Sequence, residues 1–328
     1  MIPVKRSART LAAMRRAKAP REPIGIAATY NRTISSVLDR TQEAVRRILF
    51  PVLEREFGET GPGVASAPDS PDAMIGVERS DACAVCGASA PGWYLHLASY
   101  EPPGESRRTD SLFDGPLAVA LADLVVAIAR ITSEGNLSPL VDVQGRRIGA
   151  WNAREMSRVL GIDLTRRETG LGPFIESFRR TNVRLIRSIP STELDQIEAI
   201  LSRAVAGGSR VEAVRREIEE RFNVSRSRAT LIARDQTLKA NADVSQLRQQ
   251  NAGVEAYFWI SSRDERVRGR PGGTWEKSES NHWRLDGTRQ LWTVAPITNP
   301  RRGIRNHPGK DYQCRCIAAP DTEALLGS

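Results

Sequence analysis

Long hydrophobic runs are scarce in this chain. The best of them, Leu117 to Ile131, is broken by Asp123 and Arg130 and falls short of the roughly eighteen residues a membrane helix needs, so no membrane partner is expected. Cysteines number four, and the N-terminus has positive charge but neither an apolar core nor a small-residue cleavage site. Reduced thiols in a cytoplasm are therefore expected rather than structural disulfides. Acid is in deficit: 39 Asp and Glu face 48 Lys and Arg, a net charge of +9 that favours polyanionic partners such as DNA or an acidic protein rim without choosing between them. Aromatic residues are only 5 % of the chain, so the place where they gather stands out.

That place is Tyr257 to Pro320, which holds two of the three histidines, two of the four cysteines and four of the six tryptophans. YFWIS at its start has the composition of a buried strand. Asp286-Gly287 and His307-Pro308-Gly309 are turn signals, and Cys314-Arg315-Cys316 is expected in a final strand. Cysteines one residue apart on a strand point to one face, where they are poorly placed to bridge each other and well placed to share a partner. With His282 and His307 they make a set of two sulfurs and two nitrogens suited to Zn2+. The alternative is that the thiols are small buried hydrophobes and the histidines hydrogen-bonded turn residues. A second pair, Cys83 and Cys86 in Cys-Ala-Val-Cys-Gly, is half of a zinc ribbon and would need His96, or Cys314 and Cys316, to complete it.

The rest of the chain is patterned mainly for helix. Residues 1–28 form a basic arm in which Arg6, Arg9, Arg15, Arg16 and Lys18 would touch DNA or an acidic groove, unless the arm is simply a solvated tail. Residues 29–57 read as an amphipathic helix kinked or restarted near Pro51. Residues 58–110 are a Gly, Pro, Ser and Ala-rich linker with the Cys-x-x-Cys loop.

The region 111–256 is read as a helical domain. It has an apolar helix over 111–132, turn residues and a short hairpin over 136–149, and helices over 151–160 and 174–189. A helix capped by Ser191 and another capped by Ser209 follow, then a turn at 223–225 and a long helix to Asn251. The turn before that helix also admits a helix-turn-helix offering Arg226 and Arg228 to a major groove. Residues 257–320 are the compact C-terminal domain and 321–328 a tail. The predicted class is α+β, a mainly helical N-terminal and central body with a small mixed α/β C-terminal domain.

The ordered motifs Trp-x-Ser-x-x-Asp-x-Arg-x-Arg (loosely, Trp259 to Arg268), His-x-x-Leu-x-Gly (His282 to Gly287), His-Pro-Gly and Cys-Arg-Cys resemble the C-terminal domain of phage head-morphogenesis proteins, the Mu F-like minor head proteins. The lead-in Arg228 to Val254 is similar as well, and the resemblance covers roughly the last 150 residues, with weaker similarity back to about Phe174. The motif residues carried over are Trp259, Asp264, Arg266, Arg268, Leu285, Gly287 and Pro308. The chain departs from the pattern at Arg234-Asp235-Gln236, where many members have Arg-Thr-Glu, and in the insertion Gly269 to Gly273.

The resemblance implies a low-copy structural protein of the virion head, made in the host cytoplasm and incorporated with the portal during procapsid assembly. Its implied partners are the portal protein, the major capsid protein and packaged DNA held by non-specific electrostatics, with no established enzymatic activity. The rival from another class is a metal-dependent nuclease or hydrolase with Asp264, His282 and His307 around a metal and Cys314 and Cys316 as structural ligands. Against it, no Glu lies at a general-base spacing and no glycine loop is present to bind phosphate.

Overall fold

A computed structural model of the protein describes residues 19–58, 115–164 and 171–322. Among these residues six helices come first: α1 (Ile24–Ile48), α2 (Phe50–Phe57), α3 (Pro116–Ile131), α4 (Glu134–Leu160), α5 (Leu171–Gly207) and α6 (Val211–Asn251). Five short strands follow: β1 (Ala256–Ile260), β2 (Arg289–Leu291), β3 (Ile297–Asn299), β4 (Ile304–Arg305) and β5 (Ile317–Pro320), with a 3-10 turn at Trp283–Leu285. The class is α+β, and among the described residues the helices precede the strands, which are confined to the C-terminal region.

The chain divides into two compact units. One comprises residues 34–137 and 183–229, and its core joins Val45, Leu49 and Leu53 to Leu121, Leu124, Ile197, Leu201, Ile218 and Phe222. The restart expected near Pro51 is present, with Pro51 in the first turn of α2, where its missing N–H has no helical partner to lose. The first amphipathic helix begins at Ile24, inside the segment read as basic arm.

Against the expectation of no membrane-like run, the helical stretch Pro116–Leu160 contains an 18-residue window of mean hydropathy 1.7 that meets the length and composition of a span. A core helix of a soluble domain meets the same description, and Leu117, Leu121, Leu124 and Ile128 of α3 are in the core while Val119 and Val126 are exposed.

Three breaks expected in the helical domain are absent. Residues 136–149 are helix and not a hairpin. Gly145 and Gly149, which look like turn residues, let α5 come close: a Cβ at Gly145 would meet the Phe178 ring at 3.2 Å, and one at Gly149 would meet Leu171 at 3.3 Å. Ser191 is not an N-cap, because α5 runs through Pro190 with buried apolar residues on both sides, Ile186 and Ile189 before it and Ile197 and Leu201 after.

The turn at 223–225 is also helix. Phe222, Ser225 and Ala229 are buried at helical spacing, and the Ser225 hydroxyl donates to the buried Glu193 carboxylate. That removes the helix-turn-helix. Arg226 is bound to Asp39 and Gln42, and Arg228 to Thr192 and Ser188, so neither is presented to a groove.

The other unit comprises residues up to 33, then 138–182 and 230–328. Its three-stranded antiparallel sheet has the order β2-β1-β5, with β1 central and all five of its residues buried. The end of α6 is fixed by Gly253 at φ 79, with Val254 N–H bonded to the Gln249 carbonyl and Gly253 N–H to that of Gln250, the two bonds of a Schellman cap. That cap turns the chain from α6 directly into β1.

Candidate metal centre

Alternation along β1 splits its side chains between two clusters. Phe258 and Ile260 pack with Ala19 and Ala319, whereas Tyr257 and Trp259 pack with Leu285, Trp292, Cys314, Cys316 and Ala318. His282 reaches the second cluster by a closed loop. The Arg268 carbonyl accepts the N–H groups of both His282, at 3.0 Å, and Trp283, at 3.1 Å. The Gly-rich insertion is looped out from this point, with Gly269 N–H on the Trp275 carbonyl, so it lengthens the path without moving the histidine away from the motif arginine. Gly287, at φ 80, completes the turn and gives its N–H to the Trp259 carbonyl at 2.7 Å.

The cysteines are positioned by α6. Gln313 is left-handed at φ 51, and the conformation is held by the Asp235 carboxylate, which accepts the Gln313 N–H at 2.7 Å while the Gln313 side chain donates to the Leu231 carbonyl. Because of this left-handed residue Cys314 and Cys316 lie in irregular chain, and the final strand begins only at Ile317, three residues later than expected. Gly309, at φ 83, presses its turn onto the same helix, where a Cβ would lie 2.6 Å from that of Ala242, and Lys310 forms an ion pair with Asp243.

At the centre the Nδ1 of His282 lies 3.5 Å from the Cys314 sulfur and 3.7 Å from the Cys316 sulfur, and the three ligand atoms are all within 4.8 Å of one another. A zinc ion with Zn–S near 2.3 Å and Zn–N near 2.05 Å at the tetrahedral angle would set an N···S edge of about 3.6 Å, so the group has the dimensions of the site it would form. All three residues are buried. The other ring nitrogen is committed: His282 Nε2–H donates to Asp311 Oδ2 at 2.7 Å, the carboxylate–histidine pairing that leaves Nδ1 facing a metal. Asp311 is itself held by the Asn306 amide at 2.5 Å, and the Arg268 guanidinium, bonded to the Tyr312 carbonyl, favours its charge.

The electrostatics follow from burial and these contacts. Burial alone would discharge His282, but the Asp311 hydrogen bond and the Cys314 thiolate outweigh it and raise its pKa to about 9. Cys314 is pushed well down, first by its hydrogen bond from Cys316 and then by His282; Cys316, sharing the same proton, is pushed up. Trp259 stands edge-on to His282, ring centroids 5.5 Å apart, and its indole N–H favours a thiolate at Cys316. A dication in this pocket would displace two protons, the one on His282 Nδ1 and the one on the Cys316 thiol, that these shifts favour.

His307 is outside this group. Its Nδ1 accepts the Tyr257 hydroxyl at 2.8 Å and its ring packs on Trp292, with burial lowering its pKa. Asp264 is outside it too. Its carboxylate is ion-paired to Arg315 and accepts the Arg266 N–H, and although burial opposes the charge these contacts lower its pKa. Leu285 is core, and Pro308 lines a small cavity beside the cysteines. Cys83 and Cys86, like Arg6, Arg9, Arg15, Arg16 and Lys18, lie outside the described residues. Sequence reading did not assign Asp311, Asn306, Asp235 or Gln313. Asp311 alone left a signal, an acid between His-Pro-Gly and Cys-x-Cys where a ligand histidine needs a carboxylate partner.

Residues 195–319 match the family model described as Phage Mu protein F like protein, the family whose motifs the C-terminal residues resemble. A Haemophilus influenzae protein named "Uncharacterized protein" is 32 % identical over 163 residues, 49 % of this chain. The match takes in 33 % of that protein, so the chain spans about a third of the length of this curated relative. No solved structure matches the chain.

Proposed function

We propose, starting from the Mu F-like segment at 195–319, that the chain is a minor head protein of a tailed phage or prophage, a component of the virion head that acts by binding rather than turnover. The match carries this reading, because it covers α6 and nearly all of the C-terminal domain that α6 positions. On this reading the protein enters the procapsid in the host cytoplasm with the portal protein, contacts the major capsid protein, and tolerates or holds packaged DNA through its +9 charge. The C-terminal domain is its rigid recognition surface, with Zn2+ at His282, Cys314 and Cys316 as a structural cross-link. When bound, zinc would supply a fixed junction between the His282 loop and the cysteine turn.

The geometry gives less support to a hydrolase. Asp264 is occupied by Arg315 and His307 by Tyr257, so neither joins His282 around one point. The deciding experiment is mass spectrometry of purified procapsids and virions, together with a variant lacking residues 257–320. The protein is expected at low copy alongside the portal, with the truncated form left out of particles. Absence of the full chain from both particle types, or metal-dependent DNA cleavage lost in His282→Ala, would overturn the reading.

A further inference from the structure

Three protein ligands leave one corner of a tetrahedron, and both cysteines also line a cavity whose wall comes in part from a distant stretch of the chain. Cys314 and Cys316 line a cavity of about 20 Å³ whose wall also includes Pro20, Glu22 and Trp292. That volume admits a single water and nothing larger. The Ala19–Pro23 segment is fastened where it lies. Ala19 is buried against Phe258, Ile260 and Ala319, its carbonyl accepts the Arg158 guanidinium at 3.0 Å, and the Arg21 N–H donates to Glu155 at 3.0 Å. Glu22 is thus held at the wall of a cavity that Cys314 and Cys316 also line.

We propose that the fourth ligand of the metal is one water in this cavity, hydrogen-bonded to the Glu22 carboxylate, so that the ion ties the segment following the basic arm to the C-terminal sheet. This deepens the zinc reading above and rests on it. Glu22 is a positioning residue here and not a direct ligand, because the ligand atoms within reach of one another are those of His282, Cys314 and Cys316. The cavity that both cysteines line has room for one water and not for a larger ligand.

The test uses the full chain with Cys83→Ser and Cys86→Ser, so that any zinc counted belongs to this centre. Atomic emission should find one zinc per chain, lost in Cys314→Ser and His282→Ala, and Co2+ should replace it with the absorption of a tetrahedral, thiolate-bound ion. Glu22→Gln and Asp311→Asn, checked for folding by circular dichroism, should each weaken zinc binding by about 10 to 100-fold. Trypsin cleavage after the exposed Arg21 should be slow in the zinc form, and fast after chelation and in Glu22→Gln.

No zinc and no Co2+ spectrum would overturn the metal site itself. Zinc bound with unchanged affinity in Glu22→Gln, and Arg21 cleavage indifferent to metal, would overturn the tie to the N-terminal segment while leaving the metal in place. Either result is distinguishable from failure of the head-protein reading, which is decided by the content of particles.

Discussion

Tyr257 and His307 carry much of what holds the aromatic side of the C-terminal cluster. The phenol donates to a ring nitrogen that must be unprotonated to accept it, so Tyr257→Phe removes a partly buried hydrogen bond and should cost about 1 kcal/mol in urea unfolding. Burial depresses the His307 pKa below its unfolded value of 6.5. The neutral ring therefore contributes stability that is fully present above pH 6.5 and is lost as pH falls from there toward the folded pKa. Unfolding midpoints measured at pH 7.5 and 5.5 should differ less in His307→Gln than in the parent, and an equal difference would contradict the assignment. Asp235 was the residue whose role was least readable, since it departs from the family pattern. The fold uses its carboxylate to hold the left-handed Gln313, a pairing across 78 positions that no local pattern announces.

Helix continuity is the clearest case at the scale of elements. Pro-Ser-Thr at 190–192 and Asn-Val-Ser at 223–225 look like a cap and a turn because local propensity is all that a short window shows. In the folded chain both are interior to long helices, because buried side chains continue at helical spacing on either side. Asn223 is exposed, so Asn223→Pro would be harmless in a turn but should cost about 3 kcal/mol or more in a helix interior. Denaturant titration of the purified variant distinguishes the two. Gly145→Val should likewise destabilise by about 1–3 kcal/mol, since the added carbons would enter the Phe178 ring where α5 crosses close by. Strand β1 lies at the other extreme. Its composition was enough to place it, and its two faces sort into two clusters as a pleated strand must.

Considered whole, the molecule combines a surplus of positive charge with a C-terminal domain rich in its tryptophans, histidines and cysteines. The charge predicts sequence-independent DNA retention that falls steeply between about 50 and 200 mM salt, measurable by filter binding with unrelated duplexes. Retention that resisted salt, or that preferred one sequence, would count against it.

Class, the first C-terminal strand and the identity of the chemically distinctive residues were set by composition and turn signals, because strand-forming runs, turn glycines and rare side chains are properties of neighbours in the chain. The choice among the candidate ligands was not. His282, Cys314 and Cys316 converge, and His307 and Asp264 turn away, only because the Arg268 carbonyl recaptures the chain after a loop and α6 fixes the turn before the cysteines. Contacts between residues dozens of positions apart depend on how elements pack, and packing is settled by the whole buried surface at once, not by any stretch of it alone.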